Sequence, residues 1–162
     1  MYHINWHFWI LLVLCCGYAG WKGGGPERLV AAVYFVGVVF THLARSASQI
    51  WWSSVEAGVF GVDVAVLCAL LAIALTAERY WPLWLTALHL LGTAGHVVKM
   101  ADPSLIRWGY AFIIAVWSYP ILALILFGTW NHQRRLGRCG ADRSWSTFYA
   151  RSDRMPVSRP TG

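Results

Sequence analysis

Residues 57–77 read AGVFGVDVAVLCALLAIALTA, a stretch of 21 residues with one ionisable side chain, Asp63. About 20 apolar residues are enough to cross the hydrocarbon core of a bilayer as an α-helix. Four more apolar stretches of similar length occur along the chain, roughly at residues 5–21, 28–44, 82–100 and 107–130. The sequence therefore predicts an all-α, polytopic membrane helix bundle of about five transmembrane helices over residues 1–130.

The composition agrees with a membrane protein. Of the 162 residues, 58% are hydrophobic and only 12% are charged, whereas soluble domains carry about twice that charged fraction. This balance excludes a disordered chain and a secreted disulfide scaffold. The four cysteines form no C-x-x-C pair, so neither a zinc site nor a dithiol motif is expected. The eleven tryptophans are typical of side chains that anchor helices at the membrane interfaces.

The positive charge is concentrated at the C-terminal end. Residues 131–162 carry seven arginines against two aspartates, which is +5 of the net charge of +6. This distribution indicates a cytoplasmic, partly disordered tail and not a nucleic-acid-binding face. With the N-terminus outside, ten Lys and Arg fall on the inner side and three on the outer side, and this excess predicts an outside N-terminus and a cytoplasmic C-terminus. The tail residues expected to contact an anionic inner leaflet are Arg134, Arg135, Arg138 and Arg143.

Short turns fix which polar residues lie side by side. The turn between the third and fourth stretches centres near Arg79, sixteen residues after Asp63. The residue level with Asp63 on the antiparallel fourth stretch is therefore residue 95, which puts Asp63 beside His96. The same reasoning places His89 level with Ser118 and Tyr119 and places His42 level with Trp6 and His7. In the turn KGGGPER at residues 22–28, Pro26 starts the next helix and Glu27 suits the positive end of its dipole.

Helical spacing assigns faces to two of the stretches. Thr86, His89, Thr93 and His96 recur as one polar stripe on the fourth stretch. The side of the third stretch opposite Asp63 carries a small residue at every fourth position, at Ala57, Gly61, Ala65 and Ala69. Such a stripe allows close packing against another helix.

Two interpretations of the intramembrane polar residues remain open. In the structural interpretation, an Asp63–His96 hydrogen bond fixes the packing of two helices and contributes about 0.6–2 kcal/mol. In the functional interpretation, an outward-facing pocket binds a ligand, a proton or a metal, since histidine has an unperturbed pKa near physiological pH. Its candidate residues are Asp63, His89, His96, Ser118, Tyr119 and His42. Haem held by His42 and His96 is one variant, although no cofactor or metal is required by the spacing.

Several short motifs resemble those of a group of small, uncharacterised bacterial multi-pass membrane proteins. They are Gly24-Gly25-Pro26-Glu27-Arg28, Gly61-Val62-Asp63, Arg79-Tyr80-Trp81-Pro82-Leu83-Trp84, Asp102-Pro103, Trp117-Ser118-Tyr119-Pro120 and Gly128-Thr129-Trp130. The resemblance implies a bacterial inner-membrane protein and no particular activity. In size, span number and tryptophan content the chain also resembles the tryptophan-rich sensory proteins, which bind porphyrins or sterols. No binding residue is carried over from them.

Three functions follow from these features. The first is a non-enzymatic accessory or interaction protein that contacts a membrane-protein partner or a second copy of itself. The second is a small-molecule binder, for a tetrapyrrole or another ligand, or a proton-linked transporter built around Asp63. The third is a membrane enzyme, which is disfavoured because the chain has no nucleophile elbow, zinc-protease helix, phosphate loop or paired catalytic carboxylates.

Overall fold

The computed structural model describes residues 6–47, 54–101 and 107–140, and these residues form five α-helices. The helices are α1 (Trp6–Lys22), α2 (Gly25–Ala47), α3 (Ser54–Thr76), α4 (Trp81–Ala101) and α5 (Arg107–Cys139). No strand occurs in the described ranges, which confirms the all-α prediction. By length and composition, two of the helices can cross a membrane, α2 over Gly25–Ala44 and α3 over Gly58–Thr76.

The helices pack in the order of the chain. Each helix contacts the next one, α1 closes the arrangement against α5, and α2 also touches α5. Leu12, Val30, Leu85, Leu122 and Ile125 are fully buried where α1, α2, α4 and α5 meet. Helix α3 packs on α2 and α4, so one of its faces points away from the bundle.

Several helix ends lie beyond the predicted stretches: α2 ends at Ala47 and α3 begins at Ser54, each three residues outside its stretch. Helix α2 begins at Gly25, three residues before the apolar stretch, and α5 continues to Cys139, nine residues beyond residue 130. Residues 131–139 are polar, and counting apolar residues therefore could not detect a helix that continues beyond the apolar layer. Gly140 ends the helix with a φ of 68°, and its N–H donates to the carbonyl of Leu136 at 3.0 Å.

The first residues of the predicted tail belong to α5. Arg134, Arg135 and Arg138 lie on its last turns. Arg143 lies outside the described residues.

Candidate functional site

Two clusters of polar side chains lie inside the bundle, and the first is built on Asp63. Its Oδ2 lies 2.8 Å from His96 Nε2, and the side chains of the two residues are 18% and 6% exposed. The contact joins α3 to α4 at the level that the turn position predicted. The predicted neighbourhood of Asp63 and His96 is therefore confirmed.

A second histidine extends this contact through a tyrosine. His89 Nε2 lies 3.2 Å from the backbone carbonyl oxygen of Asp63, and because a carbonyl only accepts, His89 is the donor. The His89 ring meets Tyr34 edge to face, with ring centroids 6.5 Å apart. Tyr34 in turn makes a side-chain hydrogen bond with Ser118. We call Asp63, His96, His89, Tyr34 and Ser118 the Asp63 cluster, which draws on four helices.

The threonines of the predicted polar stripe have a different role. The hydroxyl of Thr86 donates to the carbonyl of Pro82 at 2.8 Å, and that of Thr93 donates to the carbonyl of His89 at 2.9 Å. Both bonds stay within α4. The stripe is therefore divided between histidines that reach α2 and α3 and threonines that are satisfied by their own helix.

Tyr119 and His42 make their ring contacts away from the Asp63 cluster. Tyr119 is 43% exposed and packs edge to face on Phe8, with ring centroids 6.0 Å apart. His42 is exposed and packs on Trp9, with ring centroids 5.4 Å apart. The contact with Trp9 lies about one helical turn from the Trp6 level that the sequence predicted. Within the described residues, no group of three or more His, Cys, Asp and Glu is placed to hold a metal ion.

The second cluster is centred on a buried ion pair. Arg79, in the connection between α3 and α4, donates through Nη1 to Oε1 of Glu27 at the start of α2. The two side chains are 1% and 0% exposed. Nδ1 of His132 on α5 lies 3.4 Å from Nη2 of Arg79. We call Glu27, Arg79 and His132 the Glu27 cluster, and the part of the bundle around it the Glu27 end.

The roles predicted for Glu27 and Arg79 from the sequence are incomplete. Glu27 does lie in the first turn of α2, but its carboxylate is buried against Arg79 and does not face solvent at the helix end. Arg79 is one of the ten basic residues that were counted on the inner side to predict orientation, and the structure buries it. Burying either charge alone is costly, so each residue can be buried because the other neutralises its charge.

Glycines permit the close packing at the Glu27 end. A Cβ on Gly24 would lie 2.8 Å from His132 Cε1 and 3.0 Å from Glu27 Oε2. On α5, a Cβ on Gly128 would lie 2.6 Å from Cε2 of the Trp81 indole. Both positions therefore need a residue without a side chain. Gln133 also donates to the carbonyl of Lys22, which fixes the α1–α2 turn to α5.

An apolar layer separates the two clusters. Glu27 and Tyr34 are seven residues apart on α2, which is about 10 Å along the helix axis. Leu12, Val30 and Leu85, fully buried, belong to the core around that part of α2. The clusters are therefore two separate groups and not one continuous polar path.

Sequence reasoning found part of each cluster. It brought together Asp63, His96, His89 and Ser118 but missed Tyr34, which reads as one more apolar residue of the second stretch. It missed His132 because the polar segment 131–139 was assigned to the tail. A buried pairing partner for Glu27 could have been sought among the basic residues of the other turn on the same side, where Arg79 lies.

Comparison with known proteins adds no relative. No protein-family description, curated protein or solved structure was found that matches the chain. The assignment of function therefore depends on the geometry of the chain itself.

Proposed function

We propose that the chain is a five-span protein of the bacterial inner membrane, with the N-terminus outside and the Arg-rich end in the cytoplasm. The single observation that carries this proposal is the arrangement of polarity. Large apolar side chains are exposed on all five helices, among them Leu14, Phe40, Leu75, Trp84 and Phe127, while the Glu27–Arg79 ion pair and the Asp63–His96 contact are inside. Soluble monomers rarely expose contiguous apolar surface beyond a few hundred Å².

Aromatic and basic side chains at the Glu27 end support the orientation. Lys22 lies over the ring of Trp21 at 4.8 Å, and Arg134 lies over the ring of Trp130 at 4.7 Å. Both tryptophans are exposed. Tryptophan favours the level of the lipid headgroups and basic residues favour the cytoplasmic side, so this end belongs at the inner interface.

Within the membrane, the proposed role is that of a non-enzymatic accessory or interaction protein. The outward face of α3 supports it, because small residues exposed there recur at intervals of three and four: Gly58, Gly61, Ala65, Cys68 and Ala72. The larger Leu71 and Leu75 are exposed towards the C-terminal end of the helix. A Cβ on Gly58 or Gly61 would meet nothing within 4 Å. Small residues at this spacing let two membrane helices approach closely.

The partner proposed for this face is a second copy of the chain. In a two-fold symmetric pair the same surface patch is used by both subunits, and the small side chains of one α3 then meet those of the other. An apolar groove of about 340 Å³ between α2 and α3 borders the face and includes Ala65 in its lining. It offers space for larger side chains of the second copy.

Cys68 provides the test of this pairing. In native membranes of a Cys139→Ser variant, mild oxidation is expected to give a Cys68–Cys68 dimer, because Cys68 is exposed on the face whereas Cys15 and Cys16 are buried. Ala65→Leu should lower the dimer yield by crowding the contact. The measurement is non-reducing gel electrophoresis.

A control cysteine on another helix distinguishes cross-linking at a specific dimer interface from cross-linking by random collision of two copies. In Cys68→Ser/Leu90→Cys on the same Cys139→Ser background, the exposed thiol is moved to α4, where Leu90 is exposed, and little dimer is expected. Equal dimer yields from the two positions would show that the α3 face is not an interface.

A second candidate function is proton-linked activity at the Asp63 cluster. It is the part of the predicted binder-or-transporter alternative in which the ligand is only a proton. The observation that favours it is that two histidines, a carboxylate, a phenol and a serine hydroxyl are joined across four helices. A proton needs no cavity. Asp63, His89 and His96 line neither the groove between α2 and α3 nor a second groove of about 340 Å³ between α1 and α2. A tetrapyrrole would need a much larger space beside the histidines.

Proton flux in liposomes tests this candidate. Asp63→Asn keeps a hydrogen-bonding group beside His96 but cannot exchange a proton, so dye-reported proton flux is expected to fall to the rate of protein-free liposomes. Glu78→Gln removes an exposed carboxylate from the α3–α4 connection and should leave the flux unchanged. Wild-type flux in Asp63→Asn would confine the cluster to a structural role.

A further inference from the structure

A groove between α1 and α2 on the surface of the bundle has a single basic residue at one end. It has a volume of about 340 Å³, and its apolar walls include Val13, Gly17, Gly20, Ala31 and Phe35. Arg28 completes the lining. An apolar groove with one positive charge in its lining is complementary to an anionic lipid. The apolar walls match an acyl chain, and the positive charge matches the headgroup.

Two glycines make the groove. A Cβ on Gly17 or on Gly20 would meet nothing within 4 Å, so these positions are open and not filled by packing. They lie three residues apart on α1 and therefore share a face. Across from them, α2 contributes alanine at positions 31 and 32, which keeps that wall low as well.

A hydrogen bond holds the Arg28 guanidinium at the end of the groove, and the adjacent Glu27 does not neutralise its charge. Arg28 is exposed, and its Nε donates to the carbonyl of Gly23 at 2.9 Å, which uses one of the five guanidinium donors. The adjacent acid, Glu27, is fully buried against Arg79. A guanidinium held in this way matches a phosphate, because its planar fork can donate two parallel hydrogen bonds.

We propose that this groove binds one anionic phospholipid, with the phosphate on Arg28 and an acyl chain between α1 and α2. The inference rests on the proposed membrane orientation, which places Arg28 at the inner interface. From Arg28 to Phe35 the groove extends about 10 Å along α2, less than the roughly 15 Å depth of one leaflet's hydrocarbon layer. The occupant is therefore a lipid of the cytoplasmic leaflet, where basic residues meet anionic headgroups.

Lipid retention measured by native mass spectrometry tests the site. The full chain is purified in detergent containing equal amounts of phosphatidylglycerol and phosphatidylcholine, and wild type is expected to retain phosphatidylglycerol preferentially. Arg28→Gln should remove the preference, and Gly17→Leu should lower the retention of both lipids by filling the groove. Two matched controls should behave as wild type. Lys99→Gln removes a positive charge in the last turn of α4 and is the control for Arg28→Gln. Gly92→Leu adds a side chain where a Cβ has open space and is the control for Gly17→Leu.

Each contrary outcome overturns a defined part of the inference. An unchanged preference in Arg28→Gln rejects the headgroup site, and unchanged retention in Gly17→Leu rejects the groove. Displacement of the lipid by glycerol phosphate as readily as by phosphatidylglycerol would show a site for free phosphate and not for a lipid. Membrane topology is measured separately, so loss of lipid preference in a correctly oriented protein rejects the lipid site alone.

Discussion

Arg79→Ala is expected to lower the free energy of unfolding by about 3–5 kcal/mol, since removing one member of a buried ion pair leaves the other charge unpaired inside the protein. Glu27 is fully buried and accepts from Arg79, so its carboxylate loses its counter-ion without gaining water. The same pair joins the start of α2 to the α3–α4 connection. Unfolding in mixed detergent micelles, followed by circular dichroism, measures the loss.

A double variant separates the cost of an unpaired charge from the value of the pair. Glu27→Met/Arg79→Met is expected to be more stable than either single variant, because no buried charge remains. Within the described part of the chain, Glu27 Oε2 has no hydrogen-bond partner, which makes the charged pair less favourable still. If both single variants unfold within about 1 kcal/mol of wild type, the pair behaves as a solvent-exposed one and the buried geometry is wrong.

Gly128→Ala is expected to cost about 1–3 kcal/mol through overpacking. The added Cβ would lie between 2.6 and 2.9 Å from three carbon atoms of the Trp81 indole. Trp81 is buried at the start of α4, so its rigid ring cannot turn away without displacing other core residues. Thermal unfolding in detergent gives the comparison with wild type.

Gly137→Ala is the matched control on the same helix. A Cβ at position 137 meets nothing within 4 Å, and alanine favours a helix over glycine by up to about 1 kcal/mol. This variant should therefore be as stable as wild type or slightly more stable. Equal stability of the two alanine variants would contradict the close approach of α5 to Trp81.

The part of the site that could be predicted depends only on the geometry of one antiparallel helix pair. Asp63 and His96 flank a single turn, and counting residues from that turn is enough to make them neighbours. The length of the apolar stretch around Asp63 likewise predicted α3 closely, because a long stretch without breakers leaves no other regular structure. Local rules were sufficient here since only local chain connectivity was involved.

The Glu27 cluster could not be predicted in the same way. Glu27 and Arg79 are 52 residues apart, and each had a local explanation, as a partner of the helix dipole and as a determinant of orientation. Their pairing depends on how the α1–α2 turn and the α3–α4 connection meet, which no single turn specifies. His132 required in addition that α5 continue beyond its apolar part.

Helical phase explains why Tyr119 left the predicted site while Ser118 stayed. Successive residues of an α-helix are rotated by about 100°, so neighbours in sequence point in different directions. Ser118 faces Tyr34, whereas Tyr119 is exposed beside Phe8. Depth alone placed both residues level with His89, but depth does not determine the face.

The most direct test of the central proposal is the location of the two chain ends. Spheroplasts of cells expressing the protein with a small tag at either end are treated with a protease that cannot cross the inner membrane, and tag survival is measured by immunoblotting. Five spans predict that the N-terminal tag is removed and the C-terminal tag is protected. If both tags are removed or both are protected, the number of spans is even, and the proposed depths of Asp63 and Arg28 are wrong.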